Sequence, residues 1–376
     1  MTIALFCAGV FSLSLLIYPY AIYPALLRLF PRAPVVGGGQ GGANTPITLV
    51  FSAFNEARSI QEKLENIARL KARHPDLEVL AYDDGSSDGT LAAMQARPEL
   101  LEVIVGEGRQ GKAHGMKKLA ARAKGDIVIF TDANVLLDED AVDRIRFWHG
   151  DPDVGGLCGN LRYLGADTST TASVGGAYWR LEEKIKDMEA QTGSVMGADG
   201  SIFAIRRALY PDFPDTVLDD FTVSMNVVFR GFRLIKCNDV IAYERLVASR
   251  SDEFSRKVRI AARAFHTHQH LSPQLGRMSL LNRFKYVSHK LLRWFGGLFL
   301  ILALLSFLGF CFALSLWLGV LAVILLILTV TLASRTGFTP LDSIFEIALS
   351  MIATLWGVIK AIRGQTFQTW VPAASR

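Results

Sequence analysis

The chain has 376 residues, 51% hydrophobic and 20% charged, with 40 Lys and Arg against 35 Asp and Glu. That hydrophobic share excludes a disordered chain, and the length allows about two domains. Of the charges, 36 basic and 33 acidic residues fall between Arg28 and Arg293. The middle therefore carries only a small positive excess, without the basic field of a nucleic-acid binder.

Residues 3–27 contain no charge, and Arg28 and Arg32 follow them. About 20 apolar residues span a bilayer as a helix, so residues 1–27 are expected to form an N-terminal transmembrane helix. A cleaved signal peptide would carry its positive charge before the apolar run. The positive-inside rule places the following domain in the cytoplasm. Residues 28–45, with the glycine run at 37–42, read as a flexible tether.

From residue 46 the pattern alternates. Ile47–Phe54 reads as a buried strand, followed by Asn55-Glu56 and an amphipathic helix carrying Ile60, Leu64, Ile67 and Leu70. Leu77–Tyr82 is a second strand and runs into Asp83-Asp84-Gly85-Ser86-Ser87-Asp88-Gly89-Thr90. Leu101–Val105 is a third strand, Ala113–Ala123 a helix, and Asp126–Phe130 a fourth strand ending at Thr131-Asp132-Ala133-Asn134. This alternation predicts an α/β domain over 46–253 with a mostly parallel sheet. In such sheets the ligand crevice lies beyond the carboxyl ends of the strands, where the three polar clusters fall. Carboxylates at that place suit a divalent cation bridging to a diphosphate. Gly108-Arg109-Gln110-Gly111-Lys112 supplies cations to offset phosphate charge. Its glycine spacing is not that of a P-loop, and no G-x-G-x-x-G follows the first strand.

Residues 254–293 carry Phe254, Val258, Ala261, Phe265 and then Leu281, Phe284, Val287 and Leu291 at helical spacing, with Arg and Lys between them. They read as amphipathic helices on the cytoplasmic membrane face, or as domain helices on a core. His266-x-His268-x-His270 reads as a polar turn near that surface. Residues 294–334 are uncharged and long enough for two membrane spans, with Gly309 and Gly319 the only breakers near a turn. Ser334–Pro340 reads as a loop, and 341–362 as a third span or a re-entrant segment. Cys7, Cys158, Cys237 and Cys311 have no metal spacing and imply no disulfide framework.

The series Phe51-Ser52-Ala53-Phe54-Asn55-Glu56, Asp83–Thr90, Gly111-Lys112-Ala113 and Thr131-Asp132-Ala133-Asn134 resembles the nucleotide-binding half of the family 2 glycosyltransferases. Gly197–Arg207 resembles the family's glycine-rich segment beside the sugar. Leu218-Asp219-Asp220-Phe221-Thr222 resembles its acceptor motif, and Arg256–Ile260 stands where the membrane-bound polymer synthases carry QxxRW. The resemblance implies a GT-A fold and inverting transfer from a nucleotide-diphosphate sugar, a UDP-sugar in the first instance. The acceptor would be a polysaccharide or a lipid-linked glycan at the inner cell membrane, among membrane lipids and without nucleic acid. It implies donor contacts at Asn55, Glu56, Asp84, Lys112, Asp132, Asp199 and Arg259, with Asp84 on the base and Arg259 near the diphosphate. It implies Mg²⁺ or Mn²⁺ at Asp132 and Asn134, and Asp220 as general base beside Asp219. Asn134 replaces the second Asp of the DxD motif, and Arg256 and Ile260 replace the Gln and Trp of QxxRW. Two alternatives accompany this reading, a non-catalytic nucleotide-binding membrane protein and single transfer in place of polymerisation.

Overall fold

The computed structural model describes residues 1–38, 45–164, 170–245, 250–335 and 339–369. The uncharged N-terminal run does not form one helix. Thr2–Ile17 (α1) and Ile22–Leu27 (α2) are separated by a turn at Tyr18–Ala21. Pro19 has no N–H to continue the ladder, and its ring crowds the preceding turn. α1 alone is about 24 Å long at 1.5 Å per residue, short of the roughly 30 Å hydrocarbon core. The expected single helix over 1–27 is corrected to this broken pair. Most of the glycine tether lies outside the described residues, but its start is docked, Gly38 N donating to the Phe147 carbonyl at 3.0 Å.

The domain follows as Ile47–Ala53 (β1), Ile60–Arg73 (α3), Glu78–Asp83 (β2), Thr90–Gln95 (α4), Glu102–Val105 (β3), Lys112–Arg122 (α5) and Ile127–Asp132 (β4). Then come Leu136–Leu137 (β5), Ala141–Trp148 (α6), Val154–Leu164 (β6), Thr170–Gln191 (α7), Ile202–Arg206 (β7), Asp219–Phe229 (α8) and Arg233–Arg245 (β8). The eight strands form one sheet in the order β3-β2-β1-β4-β7-β6-β8-β5. β3, β2, β1 and β4 pair in parallel, as does β6 with β8, while β4–β7, β7–β6 and β8–β5 are antiparallel. The sheet is thus mixed, with every pairing parallel from β3 to β4 and only β6–β8 parallel beyond. Strands buried on both faces read as continuous apolar runs in either orientation, and β7 is such a strand, so the sequence pattern carries no sign of its reversal.

Two cores flank the sheet. Leu49, Phe51 and Ala53 of β1 face one, with Ile60, Leu64 and Ile67 of α3; Val50 faces the other, with Met116 of α5 and Val223 and Val227 of α8. Burial on both faces explains why β1 reads as an uninterrupted apolar run. Its register sets Ser52 opposite Asp132 and Ala53 opposite Asp83, so the polar strand ends meet on one edge.

The rest is helical: Arg250–Leu275 (α9), Leu280–Tyr286 (α10), a π-helical turn at Val287–Leu291, Leu292–Trp294 (α11), Gly296–Leu314 (α12), Leu316–Arg335 (α13) and Thr339–Ile362 (α14). His266, His268 and His270 lie inside α9, a helix where the sequence suggested a turn. α9 lies between two partners. Ala262, Phe265 and Leu271 join the second core, and Val258 and Ala261 meet Gly357 of α14. Among the described residues, Gly296–Leu314 and Leu341–Ile362 are long and apolar enough to cross a membrane. α1 runs antiparallel to α12, with Leu5 by Gly309, Gly9 by Phe307 and Leu16 by Gly296. The break between α12 and α13 falls at Ser315, whose backbone is extended, rather than at Gly309 or Gly319. The expected loop at 334–340 falls partly outside the described residues.

Candidate active site

Three strand ends and two helix starts build one cavity of about 210 Å³. Asp83 holds the turn after β2, accepting from the N–H groups of Gly85 and Ser86. Asp84 is 3% exposed. Its carboxylate accepts from Gln110 N at 2.7 Å and from Gly111 N at 3.0 and 2.9 Å. Beside it the Arg109 guanidinium stacks on the Phe54 ring, 3.6 Å from its centre. A planar cation, a flat ring and a buried acceptor together form a seat suited to an aromatic heterocycle.

The phosphate side begins at α5. Lys112 Nζ meets Asp132 Oδ1 at 2.5 Å. Burial works against the Lys112 charge, but Asp132, Asp219 and Asp220 outweigh it and hold the ammonium above its ordinary range. Asn134, two residues past Asp132, donates to Glu244 Oε1 of β8 at 3.0 Å. The loop carrying both is pinned from α3. Lys63, wholly buried, donates to the Val135 carbonyl at 2.6 Å, and the Asn66 amide bonds both backbone groups of Leu137.

Asp219 and Asp220 open α8, and Leu218 is its N-cap. Neither aspartate caps the helix. Asp220 Oδ1 accepts from Phe221 N at 2.7 Å, and Asp219 is buried with Oδ2 lacking a hydrogen-bond partner. Burial first, and then the Asp219 charge, push the Asp220 carboxyl up to about 7, against the pull of Lys112 and Arg263. The segment leading to this pair is clamped from both sides. Lys117 donates to the Phe213 carbonyl and pairs with Asp215. From α9, Arg263 donates to the Val217 carbonyl and Thr267 Oγ1 accepts from Leu218 N. Gly200 sits where Lys112 Nζ and Asp220 Oδ2 approach the same point: a Cβ there would stand 2.8 and 3.1 Å from them.

Of the residues expected at the site, the cavity brings together Glu56, Asp84, Lys112, Asp132, Asn134, Asp219, Asp220 and Arg259. Asn55 and Asp199 stand off its wall. Asn55, at φ 52°, accepts from Ser87 N and ties β1 to the neighbouring turn. Asp199 is spent on an ion pair with Lys186 at 2.7 Å. Phe54, Gly200, Arg263 and Thr369 line the cavity as well. Arg263 follows Arg259 by four residues and shares its helix face, the one signal by which the sequence could have shown it.

Among the described residues, no three His, Cys, Asp or Glu side chains converge to hold a metal unaided. The donor chemistry at Asp132 and Asn134, one carboxylate and one amide, still suits a hard divalent cation that takes its remaining oxygens from water or a diphosphate.

Residues 48–213 match the family described as Glycosyl transferase family 2. The poly-beta-1,6-N-acetyl-D-glucosamine synthase of Staphylococcus aureus (strain COL) is 26% identical over 196 residues, 50% of this chain and 47% of that protein. The synthase of the same name from Staphylococcus epidermidis (strain ATCC 35984) is 22% identical over 185 residues, 47% of this chain and 44% of that protein. The chain spans about half the length of these curated relatives. A solved mannosyltransferase, PcManGT from Pyrobaculum calidifontis in complex with GDP-Man and Mn²⁺, superposes with a TM-score of 0.76 at 22% identity. The superposition covers 95% of this chain and 99% of that one, so the two share a GT-A-type fold. Motif order, strand-end geometry and family match thus coincide over residues 48–213, the part of the chain that is similar to glycosyl transferase family 2.

Proposed function

We propose that the chain moves a sugar from a nucleotide-diphosphate sugar to a hydroxyl of a glycan or lipid-linked acceptor, with inversion, at the cytoplasmic face of the cell membrane. The observation that carries this reading is the shared cavity: a base seat at Asp84, a charged phosphate side at Lys112 and Asp132, and the Asp219–Asp220 pair against them. In the transfer, Asp220 accepts the proton of the acceptor hydroxyl as its oxygen bonds to the anomeric carbon. The bond from that carbon to the diphosphate breaks, and its electron pair leaves with the diphosphate. A carboxyl titrating near 7 is matched to a general base at neutral pH. Lys112, Arg259 and Arg263 supply fixed positive charge where the leaving group gains negative charge. A Mg²⁺ or Mn²⁺ ion held by Asp132 and Asn134 would neutralise the diphosphate further.

The donor is taken first as a UDP-sugar. A GDP-sugar is the second reading, favoured by the whole-chain likeness to a structure holding GDP-Man. Purified protein is offered a panel of nucleotide-sugars, with and without chelator, and release of nucleoside diphosphate is measured. One donor class should be turned over, and turnover should fall in chelator. Full turnover in chelator would remove the metal from the account. Binding without any turnover, across donors and acceptors, would leave a nucleotide-binding membrane protein. Product length separates single transfer from polymerisation.

A further inference from the structure

After α14 the chain returns to the cavity instead of leaving the domain. Phe367 stands in the left-handed region at φ 51°, uncommon for a residue with a side chain. It is kept there by packing on the second core and by Lys360 Nζ, 5.3 Å from its ring centre. Gln368 Nε2 then donates to the Gln110 carbonyl at 2.9 Å. The Gln368 carbonyl rests on Gly111, where a Cβ would stand 2.7 Å from it; Gly111, at φ +94°, is the residue type that permits both the conformation and the approach. Thr369 reaches the cavity wall. Gln110 and Gly111 are the same two residues whose N–H groups hold the Asp84 carboxylate.

We propose that Gln368 is a positioning residue of the donor site: by fixing the Gln110–Gly111 backbone it sets the orientation in which Asp84 reads the nucleotide base. This rests on the cavity being a nucleotide-sugar site. The connection from β3 to α5 contains Gly106, Gly108 and Gly111, so its own sequence gives it little stiffness. The N–H groups that aim Asp84 are only as well placed as that connection, and Gln368 is a hydrogen-bonding anchor on it from a distant part of the chain. The Gln368 side chain bonds the backbone of this connection, at the Gln110 carbonyl, so its effect should fall on base recognition and spare the phosphate side.

The test measures binding of UDP, GDP, ADP and inorganic pyrophosphate by calorimetry. It uses the full-length protein and its Gln368→Ala, Gln368→Glu, Asp84→Asn and Gln368→Ala/Asp84→Asn variants. Losing one neutral hydrogen bond should weaken the preferred nucleoside diphosphate about three- to tenfold. Gln368→Glu replaces the donor with an acceptor facing the Gln110 carbonyl and should do at least as much. Pyrophosphate should bind as to the parent, the preference among bases should narrow, and Gln368→Ala should add little once Asp84 is Asn. The inference is overturned if both Gln368 variants bind nucleotides as the parent does. It is also overturned if pyrophosphate weakens equally, as a general loosening would cause, or if the Gln368→Ala effect is undiminished on Asp84→Asn. If the parent binds no nucleoside diphosphate at all, the reading of the cavity itself fails, and this inference with it.

Discussion

Asp220 is pulled in opposite directions by its neighbours. The first turn of a helix favours an ionised carboxylate, which is what its sequence position suggests. Burial and the adjacent Asp219 oppose this and win, bringing the group to about 7. If Asp220 is the base, its ionised form is the active one, so turnover should rise with pH through about 7 and level off above it. Asp220→Asn should lower turnover about 10²-fold or more and abolish that rise. The sign for stability is opposite. Because the folded-state pKa is raised, the native state binds the extra proton between about 4 and 7, and ionising Asp220 costs stability as pH climbs through that window. The Asn variant should therefore melt at pH 8 no lower than the parent. A variant that is folded and near normal in rate would transfer the role to Asp219. Asp84, Asp132 and Asp220 were legible in the sequence because each closes a strand or opens a helix within a recognisable run. The Asn134–Glu244 contact was not, because no local pattern couples residues 110 positions apart.

Among the elements, α9 links the apolar helices to the chemistry. Through Arg259 and Arg263 it lines the cavity, through Thr267 it holds the N-cap of α8, and on another face it takes α14. At that contact a Cβ on Gly357 would stand 2.4 Å from the Val258 carbonyl. Gly357→Leu should force the two helices apart, costing about 1–3 kcal/mol as overpacking does, and should disturb Arg259 one residue beyond Val258. The expected result is a lower melting temperature in detergent together with weaker donor binding, whereas Ile344→Leu, at a 62% exposed position of α14, should change neither. Parent-like donor affinity in Gly357→Leu would show that α14 does not support the site. The helical spacing of Val258, Ala261 and Phe265 was plain in the sequence. Their partners were not, because an apolar stripe looks the same whether it meets lipid, a core or another helix. The same ambiguity hid the reversal of β7, whereas β1 to β4 were legible to within one or two residues because turn-forming clusters bound each of them.

At the scale of the molecule, apolarity and geometry give different answers for α14. By composition Leu341–Ile362 is long and apolar enough to cross a bilayer. The contacts argue otherwise. α12 leaves the domain at Gly296, and Gly297 at its first turn already touches Met351 and Leu355, past the middle of α14. The end of α14 runs on to Gln368, which bonds Gln110 in the domain itself. If α12 crosses outward and α13 returns, α14 starts and finishes on the domain's side and lies along the membrane surface. Asp342 and Glu346, each 5% exposed, are then shielded by protein near an interface, at less cost than charges at mid-bilayer. Single cysteines at Glu102 in β3, at Ser315 between α12 and α13, and at Gln365 after α14 test this in a background lacking the four native cysteines. With a membrane-impermeant thiol reagent on intact cells, Ser315→Cys should label. Glu102→Cys and Gln365→Cys should label only after permeabilisation. Labelling of Gln365→Cys from outside, with Glu102→Cys protected, would show that α14 crosses, and that the contact between Gln368 and Gln110 does not form in the membrane. Labelling of Glu102→Cys from outside would reverse the orientation that the positive-inside rule draws from Arg28 and Arg32, the first charges after the N-terminal apolar run.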